Sequence, residues 1–278
     1  MIQLKNRDSN SFFLTYNGEL KDKFMLLRLL ASIHESCKRI DEDNWIIPKD
    51  FAPVLSDVFE VEHLSMPWDN IGSNMKLTPY EYQKETVYFG ASNQNSLFIL
   101  PCGAGKSCIA ITLYNELKLS NKVTTPGMII VPASLKYQWV KEVSKFSDLI
   151  AHAIDTPSKA RKKFDSQFED CDLLICNYET LKNKQVADRL LEMELEFILI
   201  DEVHGCSNYK SGKSKAIYQF NDIPYRYGMT ATPITNNPEG LFGIFNFIDK
   251  DLFKSHGKFA SNYLVYRSYG IVSKAKNV

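Results

Sequence analysis

The sequence predicts an α/β protein: a doubly wound, mostly parallel sheet preceded by a small α+β module. Past residue 70, short continuous apolar runs alternate with helical patterns, as strands buried on both faces and joined by crossover helices require. The stretch "HLSMPWDNIGSNMK" collects Pro, Gly, Ser and Asn without periodicity, which is linker chemistry. The expected division is therefore 1–70 for the module and its linker and 71–278 for the sheet domain, a length that allows one large domain and a smaller one.

Within the module, "SFFLTY" and "NWIIP" are strand-like. "ELKDKFMLLRLLASI" puts Leu20, Phe24, Leu27 and Leu30 on one helical face, and "DFAPVLSDVF" starts a second short helix. In the larger domain the strand candidates are "SLFIL", "GMIIVP", "DLLICNY", "EFILID" and "YRYGMTAT". The helices expected between them are "KSCIAITLYNELKL", "SLKYQWVKEVSKF" and "KQVADRLLEM". In the second of these, Leu135, Trp139, Val143 and Phe146 follow helical spacing and read as core.

The chain carries 33 basic and 33 acidic residues, so no global field recruits nucleic acid or a membrane surface. Charge is nevertheless uneven. The first 75 residues hold 12 acids and 8 bases; from residue 206 onward there are ten bases and four acids, an excess consistent with phosphate contact and equally with solvated lysine loops. Six cysteines show no C-x-x-C pair and no metal-ligand spacing, which points to free thiols in a reducing compartment. The start "MIQLKNRDSN" lacks the apolar core of a signal peptide, and the longest apolar runs are too short to span a bilayer. A soluble intracellular protein with no membrane partner is expected.

Two motifs carry chemistry. "PCGAGKS" lies between a strand and a helix, where ligands bind in open α/β sheets. Gly103 and Gly105 permit backbone conformations that turn N–H groups toward a phosphate; Lys106 supplies charge, Ser107 a hydroxyl for Mg²⁺, and the helix N-terminus its positive dipole end. The strict phosphate-loop pattern has Gly where this chain has Leu100, and a glycine turn capping a helix is the plainer alternative. The second motif is "FILIDEVHG", which sets Asp201 and Glu202 at the tip of a buried strand. Asp201 suits Mg²⁺ and Glu202 the polarisation of an attacking water, unless both are hydrated acids at a solvent edge. Together the motifs form two halves of a Mg-nucleotide site.

"DEVH" resembles the D-E-x-H box of helicase superfamily 2, and the partial G-x-G-K-S is similar to the shortened phosphate loop common there. The order of further segments resembles the Swi/Snf-like DNA-dependent ATPases: "LTPYEYQKETV", "IIVPASLKYQWVKEVSKF", "ICNYETLKN" and "YGMTATPITNNPEGLFGIFNFIDKDLF". The similarity covers roughly residues 77 to 265 and implies an N-terminal RecA-like P-loop lobe that uses ATP and Mg²⁺ on double-stranded DNA. It assigns nucleotide contact to Gln83 at the adenine edge and to Cys102, Gly103, Ala104, Gly105, Lys106 and Ser107. Catalysis falls to Lys106, Asp201 and Glu202, with Ser107 and Asp201 on the metal. Ser134, Lys136 and Thr180 are assigned to DNA. His204, Thr230 and Thr232 are assigned to coupling, with His204 as a hydrogen-bond relay rather than a metal ligand.

Family motors place ATP between two such lobes, and arginines of the second reach the γ-phosphate. The residues after the last motif are too few for that lobe, so it is expected elsewhere in the gene or on a separate subunit. Failing that, an arginine from within, such as Arg226 or Arg267, or one from a second copy of the same chain would have to serve. The alternative from another class is a stand-alone lobe that binds nucleotide or DNA and regulates without turnover. Localisation follows the DNA: cytoplasm and nucleoid, or nucleus.

Overall fold

The computed structural model describes residues 68–157, 166–235, 237–266 and 272–275 continuously; before residue 68 it describes five strands, Ile40, and positions 26, 30, 54, 55 and 59. The chain divides into two compact units, Met1–Ile71 with Pro79–Glu85, and Gly72–Thr78 with Thr86–Val278.

In the first unit five strands form one sheet: β1 (Ile2–Asn6), β2 (Ser11–Tyr16), β3 (Lys38–Arg39), β4 (Asn44–Pro48) and β5 (Val61–Leu64). Their order is β3-β4-β2-β1-β5, antiparallel except for the β1–β5 pair. Ile2, Leu4, Leu14, Trp45 and Ile47 are buried on one face together with Leu26, Leu30 and Leu55. "SFFLTY" and "NWIIP" coincide with β2 and β4, whereas β1 and β5 lie where the sequence offered a charged start and the edge of a linker. Leu30 is buried; Leu20, Phe24 and Leu27 lie outside the described residues.

The second unit is built on six parallel strands: β6 (Asn95–Ile99), β7 (Gly127–Val131), β8 (Ala151–Ala153), β9 (Leu173–Asn177), β10 (Phe197–Asp201) and β11 (Tyr225–Thr230). Their order is β6-β11-β10-β7-β9-β8. Every residue of β7, β9 and β10 is buried, which is why these strands read as continuous apolar runs and not as alternating ones. α1 (Glu81–Ser92), whose residues 81–85 belong to the first unit, precedes β6; the crossovers include α2 (Lys106–Leu119), α3 (Lys136–Phe146), α4 (Tyr178–Leu181), α5 (Lys184–Glu192) and α6 (Gly212–Tyr218). From Cys108 to Asn115 every residue of α2 is buried, as expected of a helix enclosed on all sides. Side-chain caps start three others: Asn177 accepts from Thr180 N–H, Asn183 from Val186 N–H, and Ser211 from Ser214 N–H.

Beyond β11 come α7 (Gly240–Ile248) and α8 (His256–Tyr263), then the hairpin of β12 (Leu264–Tyr266) and β13 (Val272–Ala275). Arg226 fastens α7 to the sheet: its guanidinium donates to the carbonyls of Ile223, Phe247 and Ile248. It is buried at the start of β11, four residues or about 13 Å of strand from Thr230 at the other end. That position overturns the expectation that Arg226 might serve a phosphate at the strand tips. Arg267 lies outside the described residues.

α7 seats against the turn after β10 through Gly243. A Cβ there would lie 2.2 Å from the Cys206 carbonyl and 2.7 Å from that of Ser207, both backbone atoms. Gly243→Ala is therefore expected to destabilise the protein by about 1–3 kcal/mol. Gly257→Ala in α8, where a Cβ would meet nothing within 4 Å, should be neutral or stabilising by up to about 1 kcal/mol. Urea unfolding of the two variants measures the contrast.

Candidate nucleotide site

The site lies at the carboxyl tips of β6, β11 and β10, adjacent in the sheet although 97 residues (100–196) separate β6 from β10 in sequence. Pairing continues past β6, where Leu100 N–H donates to the Thr230 carbonyl at 3.0 Å. The loop then turns through two left-handed glycines, Gly103 (φ 83°) and Gly105 (φ 71°), and Gly105 caps α2. A side chain at either position would be strained. Space for a Cβ is open at Gly103, so its conformation, not crowding, requires the glycine. Cys102 is exposed and Ala104 is buried.

Lys106, the first residue of α2, reaches across to the second motif: its Nζ lies 2.9 Å from Glu202 Oε1. The other carboxylate oxygen, Oε2, accepts from Thr230 Oγ1 at 3.3 Å and lies 3.2 Å from His204 Nδ1. His204 Nδ1 and Thr230 Oγ1 are themselves 3.0 Å apart, and Thr232 N–H donates to Thr230 Oγ1 at 3.1 Å. Glycine loop, carboxylate pair and the "TAT" segment thus share one hydrogen-bonded cluster.

The two acids differ in environment. Asp201 is 5% exposed, and burial, then the neighbouring Glu202, raises its pKa, against the lowering effects of Lys106, the Glu202 N–H and the Trp139 indole. Its Oδ1 accepts the Glu202 N–H at 3.0 Å. Glu202 holds a left-handed backbone (φ 51°, ψ 53°), a conformation that costs a residue bearing a β-carbon on the order of 1 kcal/mol and that clusters at functional sites. It turns the side chain off the strand line, toward Lys106 and Thr230.

Beside the loop is a cleft of about 340 Å³ lined by Gly103, Lys106, Ser107 and Asp201 together with Trp139 and Phe146 of α3. Its size falls within the range of small-molecule sites. Leu135, read from spacing as core, is exposed and also lines this cleft, whereas Trp139 and Val143 are buried. Sequence reading placed Trp139 in the core and missed its role beside Asp201; the available signal was that a buried indole N–H needs an acceptor.

The remaining predicted residues lie on α1, on the turn before α3, on α3 and on α4. Gln83 is buried in the first turn of α1, and its Oε1 accepts the Tyr80 N–H at 2.9 Å. Ser134 is exposed in a single 3₁₀ turn before α3. Lys136 is turned inward: its Nζ donates to the Ile154 carbonyl at 3.0 Å and pairs with Asp155. Thr180 is buried, its N–H and hydroxyl both donating to Asn177 Oδ1. Cys102, Cys108, Cys171, Cys176 and Cys206 are free thiols, and Cys37 lies outside the described residues. No described helix is long and apolar enough to cross a membrane.

Comparison with known proteins gives this geometry a family: residues 14–273 match the SNF2-related domain. The chain belongs to that family. Chromatin structure-remodeling complex protein SYD of Arabidopsis thaliana is 29% identical over 170 residues, 60% of this chain and 5% of that protein. The ISWI chromatin-remodeling complex ATPase ISW1 of Saccharomyces cerevisiae is 26% identical over 186 residues, 65% of this chain and 16% of that protein. Among solved structures, the Sulfolobus solfataricus SWI2/SNF2 ATPase core in complex with dsDNA superposes with a TM-score of 0.59 at 27% identity, covering 68% of this chain and 40% of that one. This SNF2-related chain thus spans less than half the length of each. Its second unit is a RecA-like lobe of the superfamily 2, Swi/Snf-like type.

Because burial raises the Asp201 pKa, the ionised carboxylate weakens the ligand-free SNF2 lobe above that pKa and not below the ordinary aspartate value of about 3.9. Asp201→Asn is expected to raise the melting temperature of the ligand-free chain at pH 7–8. The gain should shrink as pH falls and vanish below about pH 3.9. Thermal melts across that range measure it.

Proposed function

We propose that this lobe binds Mg–ATP at the tips of β6, β11 and β10 and contributes to ATP-driven movement on double-stranded DNA. A second RecA-like lobe, in the same gene or on another subunit, would complete the motor. The observation that carries the reading is the 2.9 Å contact of Lys106 with Glu202: two sequence-distant motifs meet with opposite charges beneath a glycine loop. The residues fit the ligand: left-handed glycines present backbone N–H groups, and Ser107 and Asp201 line the adjoining cleft. Support for DNA as the partner comes from the solved relative, a core in complex with dsDNA.

In this reading the N–H groups of Cys102 through Ser107 cradle phosphate oxygens, and Lys106 exchanges its bond with Glu202 for one with phosphate. Glu202 Oε1 is then free to accept a proton from the attacking water while Thr230 and His204 keep Oε2 in place. Ser107 and Asp201 would hold Mg²⁺, which when bound neutralises phosphate charge. Gln83 is proposed for the adenine edge. Thr180 and Ser134 are proposed for DNA phosphates, a role for which Lys136 would first have to leave Asp155. His204, Thr230 and Thr232 would connect the nucleotide to that face. The domain division near residue 70 belongs to the same proposal.

Glu202→Gln should bind Mg–ATP within about twofold of wild type and, measured in the complete two-lobe motor, lose turnover by about 10² to 10⁴. Lys106→Ala, which removes the loop's charged side chain, should weaken binding of a fluorescent ATP analogue more than Ser107→Ala does. Equal affinity in wild type and Lys106→Ala would remove the loop from the reading.

The isolated chain should be a poor ATPase with little stimulation by duplex DNA, since an arginine finger is worth on the order of 10³ to 10⁵ in rate. Its DNA binding should weaken steeply with added salt. Turnover with and without duplex, alone and after addition of a second lobe, checks both statements; full stimulated activity from the chain alone would sink the two-lobe reading.

A further inference from the structure

Glu202 is held in its left-handed turn by more than its own side chain. Its N–H donates to Asp201 Oδ1, and its carbonyl accepts from Gly205 N–H at 3.0 Å and from the Tyr178 hydroxyl at 3.3 Å. Tyr178 is the first residue of α4, the short helix that also carries Thr180, and it is 9% exposed. Burial pushes its phenol pKa far above the usual range, so the hydroxyl keeps its proton and donates. The ring fills the space beneath the turn so closely that a Cβ on Gly205 would lie 2.8 Å from the Tyr178 oxygen. On its other side the ring meets the Lys213 ammonium at 5.8 Å, and Lys213 also lies 3.9 Å from Glu179 of the same helix.

We infer that Tyr178 is a positioning residue for Glu202: its hydroxyl tethers the strained turn that aims the carboxylate, and so ties that carboxylate to α4. This inference rests on the reading of Glu202 as the base that polarises water. The tether acts on the backbone and touches neither the phosphate loop nor the Glu202 carboxylate, so it should affect the rate of the chemical step and leave nucleotide binding alone. It also gives α4 a direct mechanical hold on Glu202, and any ligand that shifts α4 would be felt at the carboxylate.

Tyr178→Phe removes the hydroxyl and keeps the ring, and the Glu202 carbonyl retains its bond from Gly205 N–H, so the fold should survive. Two measurements on the full chain test the tether: amide hydrogen exchange along residues 202–206, and steady-state hydrolysis of Mg–ATP with and without duplex DNA. Loss of one hydrogen bond of ordinary net worth corresponds to roughly three- to tenfold. The variant should therefore show exchange at 202–206 faster by about that factor, with β7 unchanged, and kcat lower by about that factor at a KM within twofold. Unchanged exchange at 202–206 would overturn the tether, and unchanged kcat in an active chain would overturn its role in the reaction. A rise in KM with kcat preserved would also overturn it, by placing Tyr178 in binding. A wild-type chain with no turnover is what the two-lobe reading expects; the exchange measurement then decides the tether by itself.

Discussion

The site depends on the pairing of β11 between β6 and β10. Register sets Ile99 opposite Thr230 and Asp201 opposite Met229, so the three tips end at matched heights. A one-residue slip of a strand would turn its side chains to the other face. The loop, Thr230 and the carboxylate pair are thus brought together by backbone hydrogen bonds formed well below the site, and the Lys106–Glu202 contact is a result of that pairing. The pair itself is partly exposed, and pairs of that kind contribute little to stability.

Above the sheet the residues are arranged against local stability. Asp201 keeps a carboxylate where burial disfavours its charge, and Glu202 takes a backbone region normally left to glycine. Both departures occur at adjacent positions, where a strand that is apolar for four residues abruptly becomes acidic. The surrounding network meets the cost: Lys106, Thr230, His204, Trp139 and Tyr178 reach the two residues from α2, β11, the turn after β10, α3 and α4. Rigidity here comes from five elements converging on two residues.

Much of this was legible in the sequence because parallel strands buried on both faces leave long apolar runs, and "FILID" and "GMIIV" could hardly be anything else. The α/β class, five of the six strands of the large sheet, and the helix opening at Lys106 all follow from that pattern. β8, three half-buried residues at the sheet edge, leaves no such run. β1 and β5 were obscured because mixed polar strands look like loop. At the site, the pairing of Gly-Lys-Ser with Asp-Glu was readable from residue chemistry. The inward turn of Lys136 was not, because its partner Asp155 lies in a segment whose approach only the fold determines. Trp139 and Tyr178 were read by spacing and by motif, which identify buried rings but not where an N–H or O–H points.

Gly243 places a limit on how this architecture can vary. With its hydrogen facing two backbone carbonyls of the turn after the D-E pair, α7 rests on that turn as a lid rests on a rim, with no side chain between to act as a gasket. Side chains elsewhere at this junction can be exchanged for others of similar volume, because neighbours repack. A carbonyl oxygen fixed by its own helical turn has no rotamer to yield, so an alanine here would have to lift the whole helix. That helix is anchored at its far end by the buried guanidinium of Arg226, so it would pivot rather than slide. A single methyl group would thus be converted into an angular displacement of everything carried beyond residue 240.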